Sequence, residues 1–316
     1  MLASPLVYAT PLRTRFRNID VRDGVLLRGD AGWGEFSPFW DYDDAESAAW
    51  LRAARESADH GWPTPLRTRI PVNVTIPAVG PDVARRLVLE SGGCTTAKVK
   101  VAQRGQDLAA EIERLEAVRD ALGPTGRIRI DANAAWDLDE ALRRLPILDR
   151  AAGGLEYAEQ PCPDVADLVA LRRRQSVLIA ADESIRRASD PLAVKRAEAA
   201  DVVVLKVAPL GGVQACLRLA HEVALPVVVS SALESSVGIA AGLALAAALP
   251  DLPYACGLAT VHLLERDAVE RPLLPTDGTM PVLRADELSP LANLGADPST
   301  TKRWLDRLGR VQELVQ

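Results

Sequence analysis

At 316 residues the chain exceeds one small domain and suits a barrel of roughly 200–250 residues plus a smaller appended unit. It is 48% hydrophobic and 25% charged, with a net charge of −6 and no basic run, which argues against nucleic acid or anionic membrane as partners. Four scattered cysteines without a CxxC pair argue against a disulfide framework or a zinc site and fit reduced thiols in a cytoplasmic protein. The start MLASPLVYATPLRTRF lacks a charged lead and long apolar stretch, so no secretory signal is expected. The apolar stretch from Val237 to Leu249 is too short to span a bilayer and reads as a buried barrel helix. The three histidines, His60, His221 and His262, sit in turn, helix and apolar contexts that give packing or surface roles. Their scarcity disfavours Ser-His-Asp chemistry.

Residues 1–69 open with alternating runs (RFRNIDV, GVLLRGD, GWGEF) broken by turn glycines and aspartates, followed by the amphipathic helix ESAAWLRAARESADHG. This is an antiparallel α+β unit expected to cap one end of a barrel. From residue 70 to 271 short apolar runs alternate with helix-length segments. The runs are VNVTI (72–76), AKVKV (97–101), RIRID (127–131), LEYAE (155–159), VLIAADE (177–183), VVVLK (202–206), PVVVS (226–230) and a weaker one around Tyr254. Eight such repeats predict an α/β fold with a parallel (β/α)8-type barrel, a modified TIM barrel. No GxGxxG follows the first strand, which disfavours an open dinucleotide-binding sheet. The tail, residues 272–316, is Pro-rich and ends in the helix TKRWLDRLGRVQELV, expected to run back to the N-terminal unit.

Catalytic groups of such barrels gather at the C-terminal ends of the strands. There the second strand carries Lys98 and Lys100, both on one face by the period of two. The third carries Asp131 and Asn133, the fourth Glu159, the fifth Asp182 and the sixth Lys206. Each piece alone has a bland reading as a strand edge, turn or helix cap. Five strand ends in succession delivering one charged group each do not, because buried unpaired charges are costly. Three carboxylates form a hard-oxygen site suited to Mg²⁺ with positions left for a small carboxylate substrate. A lysine beside it, its pKa depressed by a neighbouring lysine, a cation and burial, can take a proton next to that carboxylate.

The ordered motifs AKVKV, IDANAAW, EYAEQP, AADES and LKVAPLGG resemble the enolase superfamily, muconate-lactonizing subgroup. The longer stretches GWGEFSPFWDYDD, IPVNVTIPAV, GCTTAKVKVA, VVVSSALESSVG and LPYACGLAT look most like its actinobacterial o-succinylbenzoate synthase family. That resemblance implies Mg²⁺ held by Asp131, Glu159 and Asp182, with Lys100 as acid/base, Lys98 supporting it and Lys206 facing the other side of the substrate. It implies dehydration of 2-succinyl-6-hydroxy-2,4-cyclohexadiene-1-carboxylate to 2-succinylbenzoate, a step of menaquinone biosynthesis. Lys100 would take the α-proton and return it to the leaving hydroxyl on the same face, with Lys206 a cation over the ring. Ser230, Ser231 and Ala232 are expected to hold the succinyl carboxylate through backbone N–H groups and hydroxyls, against the plainer reading of a helix cap. Arg13, Phe16, Phe39 and Trp40 are candidate substrate contacts from the cap, with packing between cap and barrel the favoured reading of the three aromatics, and the short segment from Thr10 to Arg17 predicts a comparatively open site. Two other readings stand beside this one. An N-acylamino acid racemase or dipeptide epimerase would use Lys100 and Lys206 as opposing bases, and a non-catalytic barrel would bind a metabolite. The sequence leaves the oligomeric state open, a monomer included.

Overall fold

A computed structural model describes residues 4–315. Its N-terminal unit is a three-stranded antiparallel sheet of β1 (Leu6–Phe16), β2 (Ile19–Arg28) and β3 (Trp33–Phe36), followed by α1 (Asp44–Arg55). RFRNIDV, which the sequence presents as one run, is the end of β1, a two-residue turn and the start of β2. Arg17 and Asn18 make that turn with φ of 50° and 62°, the left-handed pair that matches the twist of a tight hairpin. Asp43 and Glu46 start α1 with a reciprocal capping box. Gly34 of GWGEF lies against the backbone of Ala54 in α1, where a Cβ would collide with its carbonyl.

The barrel strands are β4 (Arg69–Ile76), β5 (Thr96–Lys100), β6 (Arg127–Asp131), β7 (Leu155–Glu159), β8 (Ile179–Ala181), β9 (Val202–Leu205), β10 (Val227–Val229) and β11 (Cys256–Ala259). All pair in parallel in the order β10-β9-β8-β7-β6-β5-β4-β11, and the bridge between Ser230 and Gly257 joins the two ends. The intervening helices include α2 (Pro81–Leu89), α3 (Leu108–Leu122), α4 (Leu138–Ala151), α5 (Val165–Arg172), α6 (Glu183–Arg186), α7 (Ala193–Arg196), α8 (Val207–Leu210), α9 (Val213–Val223) and α10 (Ser236–Ala248). Asp107 and Asp137 cap α3 and α4 through their side chains. The last strand starts at Cys256, beyond Tyr254, whose ring instead packs edge-on to Tyr157. A 3-10 turn, Val261–Leu263, follows β11 in place of a helix.

Alternation along each strand sorts the barrel into two layers. Val72, Val74, Ala97, Val99, Ile128, Ile130, Val203 and Leu205 face outward into the large core shared with the helices. Tyr157, Ala180, Val202, Val204 and Val228 face inward and plug the lumen. Arg129, fully buried on the same inward register, hydrogen-bonds Glu156, Asn73 and the Ala255 carbonyl and lies over the Tyr157 ring. α10, the apolar stretch of the sequence, is buried on nearly every face, and no helix among the described residues is long and apolar enough to cross a membrane.

The cap has its own core of Phe36, Phe39, Trp50 and Leu51, completed by Trp304, Leu308 and Val311 of α11 (Pro298–Leu314). Trp304 is fully buried with its ring edge-on to Phe36. Replacing Trp304 with Ala should lower the unfolding free energy by about 3–5 kcal/mol, the range for emptying a large aromatic site. Chemical denaturation followed by circular dichroism measures it, and a loss below about 1 kcal/mol would mean that α11 is not part of the cap core.

Candidate active site

Strand register explains why the charged residues meet. Lys100 of β5 stands opposite Asp131 of β6, and Asp131 opposite Glu159 of β7, so three inward side chains share one level. Glu159 lies opposite Ala180 of β8, and the next inward position up is Asp182. Lys206 follows β9 directly. The lysine Nζ of Lys98 is 2.9 and 3.1 Å from the two Glu159 carboxylate oxygens and 3.2 Å from Asp131 Oδ2. Lys100 Nζ donates to Asp131 Oδ2 at 2.5 Å and to Asn133 Oδ1 at 2.6 Å. Lys206 Nζ reaches Asp182 Oδ2 at 2.6 Å, and Arg186 Nε reaches Asp182 Oδ1 at 3.0 Å. Glu183 accepts from Asn133 Nδ2 at 3.3 Å and from Arg186. Gln160, with φ of 38°, takes the backbone N–H groups of Asp182 and Ser184 and so fixes the turn that carries Asp182.

Burial sets the electrostatics. Asp131, Glu159 and Asp182 are at most 1% exposed. Against the cost of that burial, Lys100 and Lys98 hold the Asp131 carboxyl well below the usual carboxylate range, and Arg186 and Lys206 do the same for Asp182. Burial and the neighbouring Asp131 push Glu159 up to about 7. Lys98 is buried too, yet Glu159 and Asp131 hold it as an ammonium. Lys100 differs: burial and the charge of Lys98 lower its pKa, with Asp131 opposing. The two lysines of the KVK run thus diverge in character, one a fixed cation and the other readier to lose its proton.

Among the described residues no three metal-ligating side chains form one ready cluster, because each carboxylate is drawn to an ammonium or guanidinium. The donor set nonetheless fits a hard divalent ion: three buried carboxylates from neighbouring strands, two of them bridged by one lysine.

Ser230, Ser231 and Ala232 line the same small cleft as Lys98, Lys100, Asn133 and Lys206. Their backbone N–H groups are not free for a ligand. They donate to Leu205 O, Gly257 O and Glu234 Oε2, and the hydroxyls have partners too, Ser231 Oγ with Thr260 Oγ1 at 2.8 Å and Ser230 Oγ donating to Gly257 O at 3.4 Å. Nor do they cap α10, a role taken by Ser235. Of the cap candidates, Phe16 reaches the cleft, its ring 5.4 Å from Lys100 Nζ. Arg13 does not: it binds the carbonyls of Leu264 and Glu265 and borders a separate cavity of about 690 Å³ on the flank of the barrel. Phe39 is buried in the cap core against Trp50, and Trp40 stacks on Trp304 beneath Arg303. Thr10 to Phe16 belongs to β1, and Phe16 and Arg17 at the tip of the β1–β2 hairpin border the cleft of the lysines. The space that Lys98, Lys100 and Lys206 share is about 30 Å³, little more than one water. A second cavity of about 190 Å³ adjoins it, and Phe16, Arg17, Lys100 and Asn133 border both. Arg17 was not singled out in the sequence. Its guanidinium lies 4.5 Å over the Phe39 ring and faces the mouth from a half-buried position.

A family model described as "Enolase C-terminal domain-like" matches residues 82–286, and one described as "Enolase N-terminal domain-like" matches residues 7–58. The o-succinylbenzoate synthase of Thermobifida fusca is 62% identical over 95% of this chain and 93% of its own length. The o-succinylbenzoate synthase of Mycobacterium tuberculosis H37Rv is 51% identical over 98% of this chain and 94% of its own. Among solved structures, muconate cycloisomerase from Pseudomonas fluorescens superposes with a TM-score of 0.74 at 23% identity, covering 92% of this chain and 96% of that one. A dipeptide epimerase from Enterococcus faecalis complexed with Mg and a dipeptide superposes at 0.75 and 20% identity, covering 91% and 99%. At those identities the likeness to solved structures is one of fold. With both enolase-type domains in order and such identity along nearly its whole length, the chain belongs to the enolase superfamily and, within it, to the o-succinylbenzoate synthase family.

Proposed function

We propose that the chain is a hydro-lyase that converts 2-succinyl-6-hydroxy-2,4-cyclohexadiene-1-carboxylate to 2-succinylbenzoate, a step of menaquinone biosynthesis. The observation that carries the reading is the 62% identity over 95% of the chain to a curated synthase. It is joined by a buried lysine of lowered pKa at the barrel mouth. Asp131, Glu159 and Asp182 would hold a divalent cation, Mg²⁺ in this reading. When bound, that ion supplies positive charge that stabilises the enolate formed as the α-proton leaves.

The protein's own part follows from the side chains. Lys100, as the neutral amine, takes the proton from the carbon bearing the ring carboxylate. As the resulting ammonium it returns that proton to the departing hydroxyl on the same face, so water leaves and the ring becomes aromatic. Asn133 and Asp131, both in contact with Nζ, aim the amine. Lys98 stays an ammonium between Glu159 and Asp131 and keeps Lys100 from sharing its charge. Lys206, held by Asp182, places a cation on the other face. Phe16 and the tip of the β1–β2 hairpin shield the amine from water on one side, and Lys100 and Asn133 also face the adjoining cavity of about 190 Å³, which offers a substrate room beside them. Arg17 is positioned to meet the succinyl carboxylate, with the hydroxyls of Ser230 and Ser231 on the opposite wall. We also divide the chain into a cap of residues 1–69 joined by 272–316 and a catalytic barrel of residues 70–271. The shared aromatic core of Trp50 and Trp304 supports that division.

A second reading, racemisation or epimerisation at an α-carbon, is favoured by a single observation: Lys100 and Lys206 both line the cleft. Identity with curated synthases weighs against a non-catalytic barrel.

The dehydration followed by product absorbance, with Mg²⁺ and then with EDTA, tests the reading. Lys100→Ala should lower kcat by about 10²–10⁴-fold, the usual contribution of a positioned acid/base. Retained activity in that variant would remove the central role of Lys100. Arg17→Met should raise KM about tenfold with kcat nearly unchanged, the mark of lost binding shared by ground and transition states. An unchanged KM would free Arg17 of any substrate role. For the second reading, Lys206→Arg is assayed for α-proton exchange of an N-acylamino acid in D₂O. Unaltered exchange from both faces would end the two-base proposal.

A further inference from the structure

The wall of the cleft formed by Ser231, Ala232 and Leu233 is held from a distance. Leu233 adopts φ of 64°, a conformation that an ordinary side chain takes only under constraint. The constraint comes from Arg22 of β2, in the other domain and 211 residues away in sequence. Arg22 is 1% exposed, and its Nε donates to the Leu233 carbonyl at 2.9 Å while Nη2 lies 3.5 Å from the Ala232 carbonyl. The same guanidinium is anchored to the cap by Ser37, through its carbonyl at 2.5 Å and its hydroxyl at 2.8 Å, and by the Phe39 ring at 4.6 Å. On the other side of the turn, Glu234 takes the Ala232 N–H at 2.7 Å, and Glu35 of β3 takes the Ser235 N–H and hydroxyl. The carbonyls of this wall are therefore completed by the cap side chain of Arg22, and Glu35 holds the start of α10 that follows it. Removing Arg22 would leave the Leu233 carbonyl buried without its partner and release the left-handed turn.

We propose that Arg22 is a positioning residue that sets the shape of the substrate pocket by clamping the Ala232–Leu233 turn to the cap. It touches no substrate. It acts through the wall residues Ser231 and Ala232, so the cap tunes specificity through the barrel's own loop as well as through the hairpin tip. The clamp rests on the functional reading above only for its kinetic consequence.

The test compares Arg22→Met with Arg307→Met in the full-length enzyme with Mg²⁺. Arg307 is an equally buried cap arginine that binds the carbonyls of Pro38, Phe39 and Tyr42 and touches no part of the cleft wall. Both substitutions should lower thermal stability. Arg22→Met alone should raise KM about tenfold while kcat changes less than about threefold. Hydrogen exchange of the peptide spanning residues 230–235 should likewise quicken in Arg22→Met and stay near wild type in Arg307→Met. Arg22→Lys, which keeps the charge but cannot fork between Leu233 and Ser37, should fall between, and it stands in if the Met variant does not fold. An unchanged KM in both Arg22 variants, or an equal rise in Arg307→Met, overturns the proposal. If the wild-type chain does not dehydrate the substrate, the functional reading fails and the exchange comparison alone decides the clamp.

Discussion

The whole arrangement depends on charge neutralisation inside a barrel mouth that water scarcely reaches. Asp131, Glu159, Asp182 and Glu183 meet Lys98, Lys100, Lys206 and Arg186, four carboxylates against four cations, most of them almost fully buried. Isolated, any one of these ions would be prohibitive to bury, and paired they are tolerable without being a source of stability. The stability comes from elsewhere, from the apolar outer faces of the same strands against the helices. The division of labour follows from the period of two: one face of each strand packs the wall, and the other carries plug residues below and charges above. A divalent ion brought to this set adds positive charge, which favours first the ionised form of Glu159, pushed up to about 7 without it, and then the neutral amine of Lys100, already lowered by burial and Lys98.

Register is what turns a list of charges into a site. Lys100, Asp131 and Glu159 lie side by side because β5, β6 and β7 pair in register, while Asp182 and Lys206 are reached by the climb of the next strands. The plug of Arg129 and Tyr157 closes the lumen beneath. Substrate chemistry is thereby confined to one end, beneath the cap. The cap's docking then becomes part of the chemistry, since Glu35 reaches across to the first turn of α10 and binds the N–H groups of Ser235 and Gly238.

Seven of the eight barrel strands and all the charged strand ends were legible in the sequence because both follow from local pattern: β-branched runs, a period of two, and ionisable residues at the end of each run. The eighth strand begins later than the aromatic weight of the Tyr254 segment suggests, because Cys256–Ala259 sets a single leucine among small residues and has little strand signature of its own. The hairpin tip was misread because RFRNIDV keeps its alternation through the turn, and only the left-handed Arg17–Asn18 pair reveals the break. Arg13 is a candidate by type alone, and type does not say which way a side chain faces, whereas Phe39 and Trp40 pack within the cap, the favoured reading of the aromatics. Ser230 to Ala232 reached the cleft as expected, yet their N–H groups are spent on Leu205, Gly257 and Glu234. Hydrogen-bond accounting of that kind exists only once the chain is folded.

What stayed invisible shares one property: it acts over a long stretch of chain. Arg22 and Arg186 lie outside every motif, and Glu35, though part of GWGEFSPFWDYDD, shows no role from that stretch alone; each matters through a partner on another element, with Arg186 linking Asp182 to the Tyr42 hydroxyl of the cap. These contacts join the metal-binding carboxylates proposed here, the cleft wall and the cap into one connected polar frame. The cap core of Trp50, Phe36 and Trp304 keeps that frame seated, since a shift of α11 moves α1 and, through β3, the Glu35 carboxylate. Specificity in such a fold is therefore distributed. In the function proposed above, Lys100 and its neighbours supply the chemistry, and the fit of cap to barrel shapes the wall against which the carboxylate would be held.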